Sequence, residues 1–441
     1  LPFQTRYIYN QASLNPSLPS PQNGGNNVWE YGIRSLYATE ILLLIILLLF
    51  ASSSIYYLFT KNISISSLTE KMRQNLKSPH IFLPLLFLIW SSASILWAQD
   101  KGLAFYKWTI LLEGIIVFLF LAKKIISWKK AVLAFLASAL GQAGFAIYQF
   151  LVQSVPANKW LGLAYHMPEE AGTAVVETPL RRWLRAYGAL PHPNILAAYL
   201  GIALILYIAI APFLTSEIFN DETTLKIFLK TIFKNLIFAL LFFILAAALL
   251  FTFSRAAIIG LVAALVGYGI YRIGRDHAAQ RKPNIFTLGF FALLIILCFS
   301  LSDPLIGRLK GENRLEKNSN QSHILTCKEG LEIIKNKWFL GAGLGNYTLA
   351  LSSLKPGLPA WNYQPAHNLF IMIWAEMGII GLAIFILFCY YLFTQAIRSK
   401  NILSIALAVF IFTISLFDHY FWTLYAGMIL WWFSSGLIIG F

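Results

Sequence analysis

The stretch NLIFALLFFILAAALLFTFSRAAIIGLVAALVGYGIY, residues 235–271, carries a single charge, Arg255, between two apolar runs. Each run is close to the roughly 20 residues that take a helix across a bilayer core. Ser254 and Arg255 are nearly the whole connection between them, so the runs read as antiparallel neighbours joined by a tight turn. Working outward, the same pattern recurs along the chain. Apolar spans are expected at 38–60, 80–98, 104–122, 131–153, 192–213, 235–253, 256–271, 285–302, 367–393, 402–417 and 424–441.

Composition agrees with this reading: 58% of the 441 residues are apolar and 12% are charged, against about 25% charged in a soluble domain. Transmembrane barrels are built from shorter alternating segments and are excluded. The expected fold class is therefore all-α, a polytopic integral membrane protein with about eleven transmembrane helices in this chain. The formal charge of +15 arises from Lys and Arg placed mostly between spans. Membrane lipids, and no nucleic acid, are the partners this implies. Cys298 and Cys389 lie in apolar runs and Cys327 in a polar segment, so neither a disulfide framework nor a metal cluster is expected. The first residue is Leu1, and residues 1–37 hold no signal-peptide pattern. A further helix upstream would make twelve and restore an even count; that expectation fails if the upstream reading frame encodes no apolar run of about 20 residues.

Alternate connections carry the positive charge: Lys61, Lys71, Arg73 and Lys77; Lys123, Lys124, Lys129 and Lys130; Lys226, Lys230 and Lys234; Arg272, Arg275, Arg281 and Lys282; Arg398 and Lys400. The positive-inside rule makes these cytoplasmic. The organisation that follows is an outer leader at 1–37, first transmembrane helices over 38–153, an outer loop at 154–191, central transmembrane helices over 192–302, a long outer loop at 303–366, and C-terminal transmembrane helices over 367–441. Tight outer turns are expected near Asp100, at Ser254-Arg255 and over 418–423. Loops of this length are usually functional, and both long ones are expected to contain short helices. Ile324, Leu325, Leu331, Ile333, Ile334, Trp338 and Phe339 alternate with Lys328, Glu329, Lys335 and Lys337 at helical spacing, an amphipathic helix stopped by Gly341-Ala-Gly-Leu-Gly345. Those glycines, Gly343 and Gly345 among them, either end the helix or let backbone N–H groups approach a ligand.

The candidate functional residues gather at the outer ends of the spans. Arg255 is either a turn anchor reaching to lipid headgroups or an anion clamp. Arg181, Arg182 and Arg185 precede His192-Pro193-Asn194, where Pro193 starts a helix. Guanidinium forks above a helix N-terminus suit a diphosphate, although for Arg181 and Arg182 a solvated charge run serves equally well. His367-Asn368 opens the span after the longest loop; His367 either bonds a loop carbonyl or takes a proton near neutral pH. Glu376 lies inside that span, facing protein or water. Asp418-His419 forms a second polar cluster, while Glu169-Glu170 reads as solvated loop charge. No nucleotide loop, zinc spacing or serine elbow is present, so the reacting bond is expected to arrive activated.

In order, Arg185 before Gly188 and His192-Pro-Asn194, Ser254-Arg255-Ala256 at a tight turn, Gly341-Ala-Gly-Leu-Gly-Asn346, and His367-Asn368 followed by Glu376-Met-Gly378 and Gly381 resemble the O-antigen ligase and polymerase superfamily over roughly residues 180–385. The resemblance implies a multi-pass glycosyltransferase of the cytoplasmic (inner) membrane with its active site facing the periplasmic or extracellular side. It implies transfer of a glycan from a polyprenyl-diphosphate-linked donor to a hydroxyl on a glycan, lipid or protein acceptor, with no cofactor and no metal. Carried over by position, Arg185, Arg255 and His367 are the catalytic set. Arg181, Arg182, His192, Asn194, Ser254, Gly343, Gly345, Asn368, Glu376, Asp418 and His419 are candidate contacts to the diphosphate or glycan. Two departures stand out: His323 occupies about the place where the family often has an arginine, with Arg308 and Arg314 as nearby alternatives, and Trp338-Phe339 stand where a proline often precedes the glycine turn. A polymerase of the same superfamily is the alternative. A transporter or lipid-linked glycan flippase is the rival from another class; it predicts midplane ionisable residues and two related halves, against which only Glu113 and Glu376 lie well inside spans.

Overall fold

In the computed structural model, residues 5–10, 29–60, 77–215, 225–275 and 313–441 are described, together with Glu70, Arg73, Gln74, Pro304 and Arg308. Helices coincide with every expected span except 285–302, which lies outside the described residues together with its Cys298. They are α1 (Ala38–Thr60), α2 (Pro79–Ser94), α3 (Lys101–Ala122), α4 (Trp128–Val152), α5 (Pro193–Thr215), α6 (Leu225–Phe251), α7 (Arg255–Arg275), α10 (Leu369–Arg398), α11 (Ile402–Phe417) and α13 (Tyr425–Gly440). Three of them, α3, α4 and α10, are each long and apolar enough to cross a membrane, and the others contain apolar stretches of 10–17 residues. The chain is a mostly helical, multi-pass membrane protein.

The connections hold the remaining elements. Two strands of the leader, β1 (Arg6–Asn10) and β2 (Arg34–Tyr37), pair antiparallel. In the first long loop, β3 (Val175–Glu177) and β4 (Arg182–Leu184) form a hairpin. A short helix was the expectation there, and the hairpin corrects it: β-branched and aromatic residues flank the Thr178-Pro179-Leu180 turn, and Pro179 disfavours a helix through it. The second long loop does contain helices, the amphipathic α8 (Arg314–Lys337) and the short α9 (Tyr347–Leu354); α12 (Tyr420–Thr423) fills the last turn.

Close helix packing rests on small residues, as is usual where lipid supplies no hydrophobic drive. The ring of Phe410 on α11 fills notches at Gly201 of α5 and Gly260 of α7, where an added Cβ would meet it at 2.1 and 3.2 Å. The core runs along α3, α10 and α13, with Trp431, Trp432, Phe118 and Phe388 in mutual contact.

The helix α10 is broken at Gly378, which adopts φ 66° and ψ −175°. A break frees backbone groups that lipid cannot satisfy, and here the loop after α8 supplies the partners. Ala342 N–H donates to Ala375 O (2.8 Å), Gly343 N–H to Glu376 O (2.9 Å), and Ile379 N–H to Trp338 O (2.9 Å). Trp90 Nε1 donates to Met377 O at 2.8 Å.

Several connections contact one another at one end of the bundle. Trp29 Nε1 of the leader donates to Thr348 Oγ1 (3.0 Å), Arg34 pairs with Asp100 (2.6 Å), and Asp100 N–H donates to Asn346 Oδ1 (2.7 Å). Asn313 Nδ2 donates to Glu177 O (2.5 Å) across the two long loops. Asn194 and His367 both reach the 418–423 turn.

Candidate functional site

Arg185 is buried behind the first long loop, 5% exposed. Its Nε donates to Thr252 O (2.6 Å) at the α6–α7 turn, and its Nη2 donates to Asn194 Oδ1 (2.6 Å) in the first turn of α5. Burial, with Arg308 nearby, lowers its pKa to about 9, which still leaves it charged at neutral pH. Asn194 then passes the contact on, its Nδ2 donating to Asp418 Oδ2 (2.9 Å). The other oxygen, Asp418 Oδ1, accepts His419 N–H (2.9 Å) and lies 3.5 Å from His367 Nδ1. A continuous polar chain thus runs from Arg185 through Asn194 and Asp418 to His367.

Four of the seven histidines meet around this chain. His323, from α8, stacks on His367 with ring centroids 3.8 Å apart, and His419 lies 5.0 Å from His367 on its other flank. His192 accepts Asn194 N–H on Nδ1 (3.1 Å). Burial lowers the pKa of His192 to about 3, of His419 to about 3 and of His323 to about 4, so these rings are neutral at pH 7. For Asp418 burial works the other way and would raise its pKa; the surrounding imidazoles, His367 foremost, outweigh it and hold the carboxyl well below the usual carboxylate range.

The second cationic group comes from the α6–α7 turn. Phe253 takes a left-handed φ of 49° there, which lets α7 start immediately at Arg255. Arg255 Nη2 donates to Asn320 Oδ1 (2.7 Å) and lies 3.7 Å from Glu316 Oε2, while its side chain stays 29% exposed. Arg308 bonds the same buried Glu316 and donates from Nε to Phe253 O (3.2 Å). Of the two arginines offered as alternatives to a family arginine, Arg308 therefore stands next to Arg255. Arg314 pairs instead with Glu177 (3.7 Å) at the rim.

Other candidates have structural duties. All N–H groups of the turn 341–345 point into the protein: Leu344 N–H donates to Ser94 Oγ (3.2 Å), and Gly345 N–H to Glu376 Oε2 (2.8 Å). An added Cβ at Gly343 or Gly345 would strike Ala98 or Lys107 at 2.6 Å. Glu376 also accepts from Trp422 Nε1 (2.7 Å) and Tyr347 N–H (3.2 Å). Gly343, Gly345 and Glu376 thus brace the break in α10, the N–H groups of the turn having their acceptors within the protein. Asn368 caps α10, accepting Phe370 and Ile371 N–H (2.9 and 3.0 Å), and donates to Leu416 O (3.0 Å). Ser254 is buried in its turn, its N–H bonded to Thr252 Oγ1 (3.3 Å). Arg181 lies over the ring of Trp183 on the exposed side of the hairpin, and Arg182 is in β4 opposite Glu177.

Sequence reasoning missed Asn320 and Glu316, which position Arg255, and Lys107, whose Nζ donates to Thr423 O (2.8 Å). Lys107 borders a small recess with Tyr31, Tyr347, Met372, Glu376 and Trp422. A lone lysine within an apolar span was the available signal.

The family model described as Wzy_C, O-Antigen ligase, matches residues 240–386. The match takes in Arg255, His323, His367 and Glu376; Arg185, Asn194 and Asp418 lie on either side of it. No curated protein matches the chain.

Proposed function

We propose, from the match of residues 240–386 to the O-antigen ligase family model, that the chain moves a glycan from a polyprenyl diphosphate to an acceptor hydroxyl at the end of the bundle where its long loops meet. The family implies a glycosyltransferase-like enzyme with lipid-linked glycan and acceptor substrates in a membrane. The observation that carries the rest is the chain of contacts that ties a cation to a base: Arg185 to Asn194, Asn194 to Asp418, and Asp418 to His367.

In this reading His367 accepts the proton of the acceptor hydroxyl as its oxygen attacks the anomeric carbon. Asp418 orients the imidazole and stabilises the imidazolium that forms. The bond from the anomeric carbon to the diphosphate oxygen breaks, and its electron pair leaves on the diphosphate. Arg255, partly exposed and braced by Glu316 and Asn320, meets that charge, with Arg185 and Arg308 behind it. Preorganised cations count most where charge develops, and removing one such group typically costs about 10² to 10³ in rate. By the positive-inside rule this end faces the periplasm or the exterior.

The test is transfer by the purified full-length protein from a polyprenyl-diphosphate glycan to candidate acceptors, comparing wild type with Arg185→Ala, Arg255→Ala and His367→Ala. Loss in each variant is expected; undiminished transfer in all three refutes the site. Growth of the lipid-linked glycan without a separate acceptor would identify the polymerase form of the same chemistry.

A further inference from the structure

We infer that His367, Asp418 and His419 form a reversible binding site for a zinc-class divalent ion, and that the bound ion arrests transfer by occupying His367. The arrest rests on the function proposed above; the site itself does not.

One donor atom from each of the three residues lies within 4.8 Å of the others. Asp418 Oδ1 is the common vertex, 3.5 Å from His367 Nδ1 and 4.0 Å from His419 Nε2. Ligand atoms on a tetrahedral zinc with bonds of about 2.0–2.2 Å stand roughly 3.4 Å apart. The two pairs through Asp418 therefore need to close by well under about 1 Å, and the two imidazoles by up to about 1.4 Å.

The contacts around it bear on where lone pairs point. Thr423 Oγ1 lies 2.7 Å from His419 Nδ1 and 3.3 Å from His419 O. With the ring proton on Nδ1, donated to Thr423, Nε2 is bare and faces a carboxylate oxygen, and a cation then bridges the two. His367 Nδ1 is likewise without a hydrogen-bond partner among the described residues.

The outer contacts are those of a metal ligand set. Asn194 Nδ2 and His419 N–H hold the Asp418 carboxylate, and Thr423 holds the His419 ring, as partners beyond the ligands ordinarily do. Two imidazoles and one carboxylate with an open fourth position is a zinc donor set. Magnesium and calcium ask for oxygen ligands and are disfavoured. The open side is at His367, whose side chain is 23% exposed against 6% for Asp418 and 9% for His419. Arg185, coupled to Asp418, repels a dication, which weakens the site and keeps it reversible. An ion on Nδ1 leaves the neutral ring's proton on Nε2, and the imidazole then has no free nitrogen to accept the acceptor's proton.

The experiment titrates Zn²⁺ into chelator-stripped, full-length protein carrying no polyhistidine tag, reading free metal with a chromophoric indicator. One site is expected, weakened at least about tenfold by His419→Gln and by Asp418→Asn, and unchanged by His80→Gln at the other end of the bundle. Zinc-edge absorption on wild type is expected to show imidazole and oxygen scattering; this holds the test open if Asp418→Asn fails to fold. Equal affinity in wild type and His419→Gln, or sulfur scattering from Cys327, overturns the site. Zinc is expected to slow transfer in proportion to occupancy, with full recovery on adding EDTA, and binding without slowing overturns the arrest. A protein that binds zinc but never transfers glycan refutes the proposed function and leaves the site standing.

Discussion

His323 lies face to face with His367, their ring planes 20° from parallel. Burial keeps His323 uncharged at neutral pH, its pKa lowered to about 4, so what it offers His367 is a flat surface rather than a charge. The family's frequent arginine at about this place would offer both. His323→Phe is therefore expected to keep transfer within a few-fold of wild type. His323→Ala, which lets the base tilt, is expected to lose about tenfold, since small misplacements of catalytic groups are costly. Equal rates for the two variants would remove the stacking argument.

The two arginines are expected to separate in their effects. Arg185 is buried and holds two elements together, so Arg185→Lys, which cannot reproduce the fork, should cost about 2–4 kcal/mol of stability as well as activity. Arg255 is partly exposed, and Arg255→Lys should change stability by less than about 1 kcal/mol while lowering transfer. Thermal unfolding in detergent beside a transfer assay reads both; a stable Arg185→Lys variant contradicts the first expectation.

Acid should loosen this end of the fold in a defined window. His192, His419 and His323 have folded-state pKa values lowered to about 3, 3 and 4, whereas an unfolded imidazole titrates near about 6.5. The unfolded chain takes protons first, so stability is full above about 6.5 and falls toward about 4, by up to about 1.4 kcal/mol per pH unit for each ring. Asp418, held low in the fold, contributes above the ordinary carboxylate value of about 4 and adds nothing to that slope. Unfolding midpoints measured from about pH 7.5 to about pH 5 should fall, and His192→Gln should flatten the decline; a flat wild-type profile excludes buried neutral imidazoles.

Gly378→Ala should prevent assembly. The residue sits at φ 66°, and an added Cβ would lie 2.0 Å from Phe339 O, a backbone atom that cannot step aside. Gly141→Ala on α4 meets nothing within 4 Å and should be silent. Size-exclusion profiles of the two purified variants decide this, and a well-behaved Gly378→Ala protein would contradict the described break.

Sidedness is open to labelling. Cysteines at Leu180 and Trp361, both exposed at the loop end, should react with an impermeant reagent from outside, and one at Ile126, exposed between α3 and α4, only from the cytoplasm. The reverse pattern inverts the proposed orientation.

The spans were legible because an apolar run of sufficient length leaves the backbone little choice but helix; predicted and observed helix limits differ by a few residues at most ends, and by ten at the start of α6. The amphipathic helix was legible too, though α8 begins at Arg314, about ten residues earlier than its apolar stripe suggests. What periodicity does not carry is which span ends adjoin. Asn194 and Asp418 are 224 residues apart, and nothing local in either says they bond. The adjacent pair Asp418-His419 looked like the carboxylate and imidazole unit, yet the carboxylate lies nearer His367, 3.5 Å against 4.0 Å, because neighbouring side chains diverge at a turn. The glycine turn misled for a related reason: its N–H groups look free until the break at Gly378, invisible in an apolar run, supplies their acceptors.

That break also divides α10 mechanically. The segment from Leu369 to Met377 is pinned by the 338–345 turn, while the rest, from Ile379 to Arg398, is a second rod joined to it through Gly378 and held to that turn at its first residue, where Ile379 N–H donates to Trp338 O. A bilayer of different thickness can tilt the lower rod, the ordinary answer to hydrophobic mismatch, without turning the upper one. In the proposed function this would keep His367, at the tip of the upper segment, in place as the surrounding lipid changes.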